Sequence, residues 1–253
     1  VQAENVQGVV DRARRTWSVA CLPAAAGPHT IGLFHLDEPD GVQTLHNEVT
    51  TIPPSDGYLG VAPDDTMGDP ARTNSGRFGR GLMFVSPLEL TTIIANREVA
   101  TVAAHSVSLW FMSQSASAGN YILADSGRTP SLLHYSVQYN QDINGTNNRI
   151  YWYLQMLDAT GNPTYSETLF VDVAPMVWHQ VVVSVVPGVE ARLWVDGAPH
   201  DVTQPAMLTG STAPDTFRLA QVMERGPFFV DEIVVEDRAA TPESIRDGWC
   251  PLN

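Results

Sequence analysis

Eleven short runs in which apolar and polar side chains alternate constrain this chain more than any other feature. They fall at Ile31 to Leu36, Leu82 to Phe84, Val107 to Phe111, Tyr121 to Ala124, Leu132 to Gln138, Ile150 to Leu157, Glu167 to Val171, His179 to Val186, Arg192 to Val195, Thr216 to Ala220 and Phe229 to Glu236. A period of two sends successive side chains to opposite faces of a strand, and the Gly, Pro, Asn and Asp clusters between the runs supply turns. Almost no helical pattern intervenes. The chain is therefore expected to be all-β, a two-sheet antiparallel sandwich, and about 220 residues is an ordinary size for one such domain.

The alternation also assigns faces. Val107, Leu109 and Phe111 share one face, with Ser108, Trp110 and Met112 opposite, while Leu193 and Val195 point inward and leave Arg192 and Trp194 on the other side. Asp196-Gly197 suits a tight hairpin, because glycine supplies the positive φ. Ile150 to Leu157 is apolar or aromatic on both faces, so this strand is either buried on both sides or presents Tyr151 and Tyr153 to a ligand. Residues 39 to 80 break the regular spacing. Pro53-Pro54, Pro63-Asp64-Asp65 and Gly68-Asp69-Pro70 make them a long, mostly loop-like excursion.

Ahead of the strands, residues 3 to 20 carry a helical period: Val6, Val9, Val10, Ala13, Trp17 and Ala20 recur at spacings of three and four, with Asp11, Arg12, Arg14 and Arg15 on the other face. This predicts an amphipathic N-terminal helix, followed by a Pro/Ala/Gly linker to residue 30. Two units result, 1–30 and 31–253. A lone helix cannot bury its stripe, so Val6, Val9, Val10 and Trp17 must dock on the following domain or on another chain.

Charge and composition exclude several functions. The formal charge is −14, with 14 cations against 28 acids. A broad footprint on nucleic acid or anionic lipid needs clustered cations, so neither is an expected partner. All 14 cations are arginine, which leaves no lysine for Schiff-base chemistry. No apolar run approaches the roughly 20 residues that cross a bilayer, so no membrane insertion is expected. The two cysteines, Cys21 and Cys250, sit near opposite ends of the chain and outside any C-x-x-C pattern. Domains often bring their termini together, so a single disulfide in an oxidising compartment is one reading and two buried thiols the other.

Five strings then arrive in order. Gly32-Leu33-Phe34-His35-Leu36-Asp37-Glu38, Gly76-Arg77-Phe78-Gly79-Arg80-Gly81-Leu82-Met83-Phe84, His105 to Phe111, Trp178-His179-Gln180-Val181 with Arg192-Leu193-Trp194-Val195-Asp196-Gly197, and Val230-Asp231-Glu232-Ile233 through Arg238 and Pro242-Glu243-Ser244-Ile245 span residues 31 to 246. Together they resemble the laminin G-like, concanavalin A-like jelly-roll domains of the lectin/glucanase superfamily. That resemblance implies sugar binding, a β-glycanase activity, or adhesion and assembly. Glycanases on this fold carry an E-x-D-x-E string that aims two carboxylates at one groove, and none occurs here. Nor is there a G-x-S-x-G, and the seven histidines never pair at metal-ligand spacing. No enzyme is expected. His179 is read as structural.

The resemblance further implies a structural calcium where the first and last strands meet, with Asp231 as ligand and Asp37, Glu38 and the turn at Gly79 completing an oxygen shell. Asp64, Asp65 and Asp69 form a second acidic candidate. A sugar site would draw its aromatic platform and polar groups from Trp110, Tyr151, Tyr153, Arg192 and Trp194, provided their strands are neighbours. The expected function is a non-catalytic extracellular recognition module for a glycan or another surface protein. The competing expectation is an assembly subunit or decoration of a surface filament, envelope or virus-like particle, attached through the N-terminal helix as a homo-oligomer or larger assembly. Either places the protein outside the cell or on a cell or particle surface.

Overall fold

Every one of the alternating runs forms a strand. The computed structural model describes residues 3–4, 10–11, 22–49, 56–60, 66, 68–85, 89–93, 104–114, 119–125, 133–141, 148–157, 163–186, 189–203, 217–222 and 227–248. In chain order the elements are β1 (Ala3–Glu4), β2 (Val10–Asp11), β3 (Thr30–Phe34), β4 (Thr44–Leu45), β5 (Gly57–Leu59), β6 (Ala71–Thr73), β7 (Gly81–Phe84), β8 (Leu90–Ile93) and β9 (His105–Ser113). They continue as β10 (Gly119–Asp125), β11 (Leu133–Gln141), β12 (Asn148–Leu157), β13 (Pro163–Asp172), β14 (His179–Val186), β15 (Glu190–Val195), β16 (Ala198–Thr203), β17 (Phe217–Val222), β18 (Phe228–Glu236) and α1 (Pro242–Gly248).

Two antiparallel sheets face each other, as the alternation predicts. One runs β13-β12-β11-β10-β17-β8-β5-β4, the other β16-β15-β14-β9-β18-β7-β6 with β3 also on β18. Their inner faces share one core. Val107, Leu109 and Phe111 enter it from β9, Val181, Val183 and Val185 from β14, and Ile150, Trp152 and Leu169 from the opposite sheet. Ser108 and Met112, on the other face of β9, are only half-buried. The Asp196-Gly197 hairpin joins β15 to β16 with φ of 52° and 76°, the two positive values that a type I′ turn requires.

Among its described residues the expected excursion over 39–80 holds three strands, β4, β5 and β6, of two or three residues each. They are too short to show a period. The segment before β3 packs on the sandwich: the Ala24 amide donates to Glu232 at 3.1 Å, and His29 and Asp237 pair at 3.0 Å.

The helix expected over residues 3–20 is not shown. Its described positions are extended instead, Ala3 opposite Asp11 and Glu4 opposite Val10. Val10 is thus a strand residue. Val6, Val9 and Trp17, and both cysteines, Cys21 and Cys250, lie outside the described residues.

Among the described residues one helix is present, near the other end of the chain. Thr241 caps α1 by accepting the Ser244 amide at 3.2 Å, Ser244 returns a hydroxyl acceptor to the Thr241 amide at 3.0 Å, and Pro242 occupies the first helical position.

Candidate functional site

Strand β18 changes partners in its middle. One edge pairs with β7 over Phe228 to Val230 and then with β3 from Ile233 onward, and the two residues between, Asp231 and Glu232, have no partner on that edge. Glu232 takes a φ of 50°. The carboxylates of this pair do the closing. Asp231 Oδ2 accepts the Phe78 amide at 2.9 Å and Oδ1 the Glu232 amide at 2.9 Å, while Glu232 accepts from His35 Nδ1 at 2.8 Å and from the Ala24 amide. Burial raises the Asp231 carboxyl to about 7, opposed by the Phe78 amide and reinforced by the charge of Glu232. Burial also raises Glu232, with His35 pulling the other way.

Asp37 clamps the same loop from the far side. Its Oδ1 accepts the Arg80 amide at 2.7 Å, and a Cβ on Gly79, whose φ is 143°, would lie 2.9 Å from that oxygen. A Cβ on Gly76 would meet the Arg80 carbonyl oxygen at 2.0 Å. Glycine is therefore required at both ends of this turn. Glu38 points elsewhere, accepting from Arg72 Nη1 at 2.5 Å and from the His46 amide at 2.6 Å.

Of the residues expected around a calcium ion, Asp37, Gly79 and Asp231 meet at one corner, where amides of the loop bond to the two carboxylates, while Glu38 turns to Arg72. Among the described residues no three His, Cys, Asp or Glu side chains converge. Asp64 and Asp65 lie outside the described residues, and Asp69 binds Gln43.

The five expected sugar-binding residues divide between the two sheets. Trp110 is 3% exposed on the outer face of β9, covered by the 76–80 loop: Phe78 meets it edge-on at 5.8 Å, and the Arg77 guanidinium lies 4.9 Å from its ring centre. Trp194 is 2% exposed beneath α1, packed with Val182 and Ile245. Arg192 lies over the Trp194 ring and pairs with Glu190 at 3.1 Å. These three are packing residues. The expectation that the five converge is corrected, because alternation gives the face of a strand and not the element that covers it.

Tyr151 and Tyr153 belong to the sheet that runs from β13 to β4. Their registers form rows across β11, β12 and β13: Asn140, Arg149 and Asp172; Gln138, Tyr151 and Phe170; Ser136, Tyr153 and Thr168. Ile150 and Trp152 point into the core, so Arg149 and Tyr151 face outward. Phe170 is 49% exposed, a large aromatic ring on an open sheet face. Tyr151 lies 6.3 Å from it between centroids, and the Arg149 guanidinium sits 4.7 Å above it. Arg149 also pairs with Asp172, which, followed by Tyr151, raises its pKa. Two aromatic rings flanked by a cation, a carboxylate and an amide side chain present what a pyranose needs: an apolar platform with hydroxyl partners at its rim.

Residues 91–246, more than half of the chain, match the family described as the concanavalin A-like lectin/glucanases superfamily. The chain belongs to this superfamily. Its two-sheet architecture also matches solved structures: the botulinum neurotoxin serotype D binding domain, alone and in complex with N-acetylneuraminic acid, each at 14% identity and a TM-score of 0.64, over 87% of this chain and 50% of that one. The binding domain of botulinum neurotoxin DC in complex with SialylT matches at 10% identity and a TM-score of 0.62, over 87% and 50%. The chain thus spans about half the length of these structures. No curated protein matches it.

Within this superfamily chain, the sequence reading found Tyr151 and missed Phe170, Arg149, Gln138 and Asp172. The signal was the alternation Thr168, Phe170, Asp172, all exposed. Only the strand register turns that signal into a cluster with Tyr151.

Proposed function

We propose that this chain is a non-catalytic carbohydrate-binding module that holds a glycan on the outer face of the sheet that runs from β13 to β4. The observation that carries the reading is the exposed Phe170 beside Tyr151, rimmed by Arg149, Asp172 and Gln138. Membership of a superfamily of lectins and glucanases supports it, as do the sugar complexes of the neurotoxin binding domains. Two features favour binding over hydrolysis. The E-x-D-x-E string is missing, and the adjacent acids Asp231 and Glu232 are 0% and 2% exposed and occupied by amides and His35. Placement outside the cell or on a surface belongs to the same proposal. The two cysteines support it, and the intact protein should gain two hydrogens on reduction; labelling of both thiols in the unreduced chain would contradict the bridge.

A glycan array tests the function. The parent chain should retain a defined set of glycans, and Phe170→Ala with Tyr151→Ala should weaken that binding at least tenfold without changing the melting temperature by more than a few degrees. Full retention by the double variant, or no glycan held by the parent, overturns the reading.

A further inference from the structure

Tyr58 is a further aromatic residue on the outer face that carries Phe170. On β5 it lies between Gly57 and Leu59, both buried, with Leu59 in the core, so the pleat sends Tyr58 to the outer face, where it is half-buried. On the neighbouring β4, Leu45 is in the core and Thr44, the register partner of Tyr58, is exposed. Tyr58 is far from the cluster around Phe170. From β12 to β5 the strand order runs through five spacings, roughly 24 Å at 4.8 Å each.

One row of register partners spans that distance. It runs Tyr153, Ser136, Asp125, Arg218, Thr92, Tyr58, each opposite the next on the neighbouring strand. Thr168 extends it on β13 and Thr44 on β4, and both are exposed. The row lies one pleat repeat, about 7 Å, from the row of Phe170, Tyr151 and Gln138. Between the two runs a row that belongs to the core, through Leu169, Trp152 and Val137 and on to Leu59. The Tyr153–Tyr58 row has no aliphatic member, and its one acid and one arginine cancel. Its hydroxyl-bearing and charged residue types are those that bond sugar hydroxyls, and an aromatic platform stands toward each end.

We propose that the ligand is a linear, uncharged oligosaccharide that crosses the strands from Phe170 to Tyr58, with Tyr58 as the platform for its far end. This rests on the glycan-binding reading and names the class of glycan. A single terminal sugar, about one strand spacing wide, reaches one platform, and a chain of about five rings reaches both. Once Phe170 and Tyr151 hold the first rings, contact at Tyr58 is intramolecular, so affinity rises with chain length.

The test is a calorimetric and NMR titration of the full chain with paired di- and hexasaccharides: cellobiose and cellohexaose, maltose and maltohexaose, laminaribiose and laminarihexaose, mannobiose and mannohexaose. At least one hexasaccharide should bind at least tenfold more tightly than its disaccharide, and the amides of Tyr58 and Thr44 should shift with the hexasaccharide alone. Tyr58→Ala should erase that advantage of length, whereas Phe170→Ala should weaken both lengths. If Tyr58→Ala does not fold, Tyr58→Leu keeps apolar bulk and removes the flat ring, and the same loss is expected. Equal affinity for both lengths, an advantage of length that survives the Tyr58 variants, or equal losses at both lengths overturns the proposal. The two readings fail separately. A parent that holds array glycans but gains nothing from length keeps the glycan face and loses the chain, and a parent that holds no glycan loses both.

Discussion

Asp231 accepts the amide of Phe78 at 2.9 Å across 153 positions of the sequence, and that bond seats the 76–80 loop over Trp110. The carboxyl that makes it is raised from 3.8 to about 7, chiefly by burial. Between those values the folded chain keeps a proton that the unfolded chain has released, so stability falls as pH rises through this window. Glu232 is raised in the same direction by its burial and adds to the slope. Calorimetry from pH 4.5 to 8 should show a melting temperature that declines toward neutrality. Asp231→Asn should flatten the decline while lowering the melting temperature at pH 5, where one of the two amide acceptors is lost.

His179 donates from both ring nitrogens, Nδ1 to Asp196 and Nε2 to the Ala174 carbonyl, each at 2.7 Å. Burial lowers its pKa, but the Asp196 and Ala174 bonds outweigh it and the net shift is upward. The stability this gives is present below the ordinary value of 6.5 and is lost as pH rises through the raised one. Asp196→Asn keeps the positive-φ turn, because asparagine tolerates it, but removes the charge. NMR should place the His179 titration above 6.5 in the parent and lower in the variant. An unmoved titration would rule out the Asp196 pairing.

Alternation made the sandwich legible because each strand buries one face: Val107, Leu109 and Phe111 read as inward and lie in the core. Asp196-Gly197 read as a hairpin for an equally local reason. Contacts between distant segments were not legible. Trp110 and Trp194 read as outward-facing and are outward-facing, yet a loop and a helix, 30 or more positions away in the sequence, cover them. Phe170 joins Tyr151 only through the register of β12 with β13, and Gln43 joins Asp69 across strands too short to carry a period.

Helix α1 is held to the sandwich by Ile245, which is 4% exposed against Val182 and Trp194. Ile245→Ala should cost about 2 to 4 kcal/mol, the range for a buried isoleucine truncated without refilling. Denaturant unfolding gives the magnitude. Ile245→Asp should also lift the helix from Trp194, seen as a red shift in tryptophan emission under native conditions. A blue or unchanged spectrum would mean that something other than α1 shields the indole.

Arg149 is the cation of the proposed glycan face, and Asp172 occupies it. A neutral sugar can stack on Phe170 and Tyr151 without disturbing that pair. A carboxylated sugar must compete with Asp172 for the guanidinium and approach a chain of formal charge −14. The parent chain should therefore prefer neutral glycans on an array, and raising the salt should change their binding little. Asp172→Asn frees Arg149 without removing the hydrogen-bonding side chain, so sialylated glycans should gain several-fold while neutral ones hold steady. Equal gains for both classes would show that Asp172 acts on the ring platform and not on the charge, and a preference for sialylated glycans in the parent would show that Asp172 yields to the ligand.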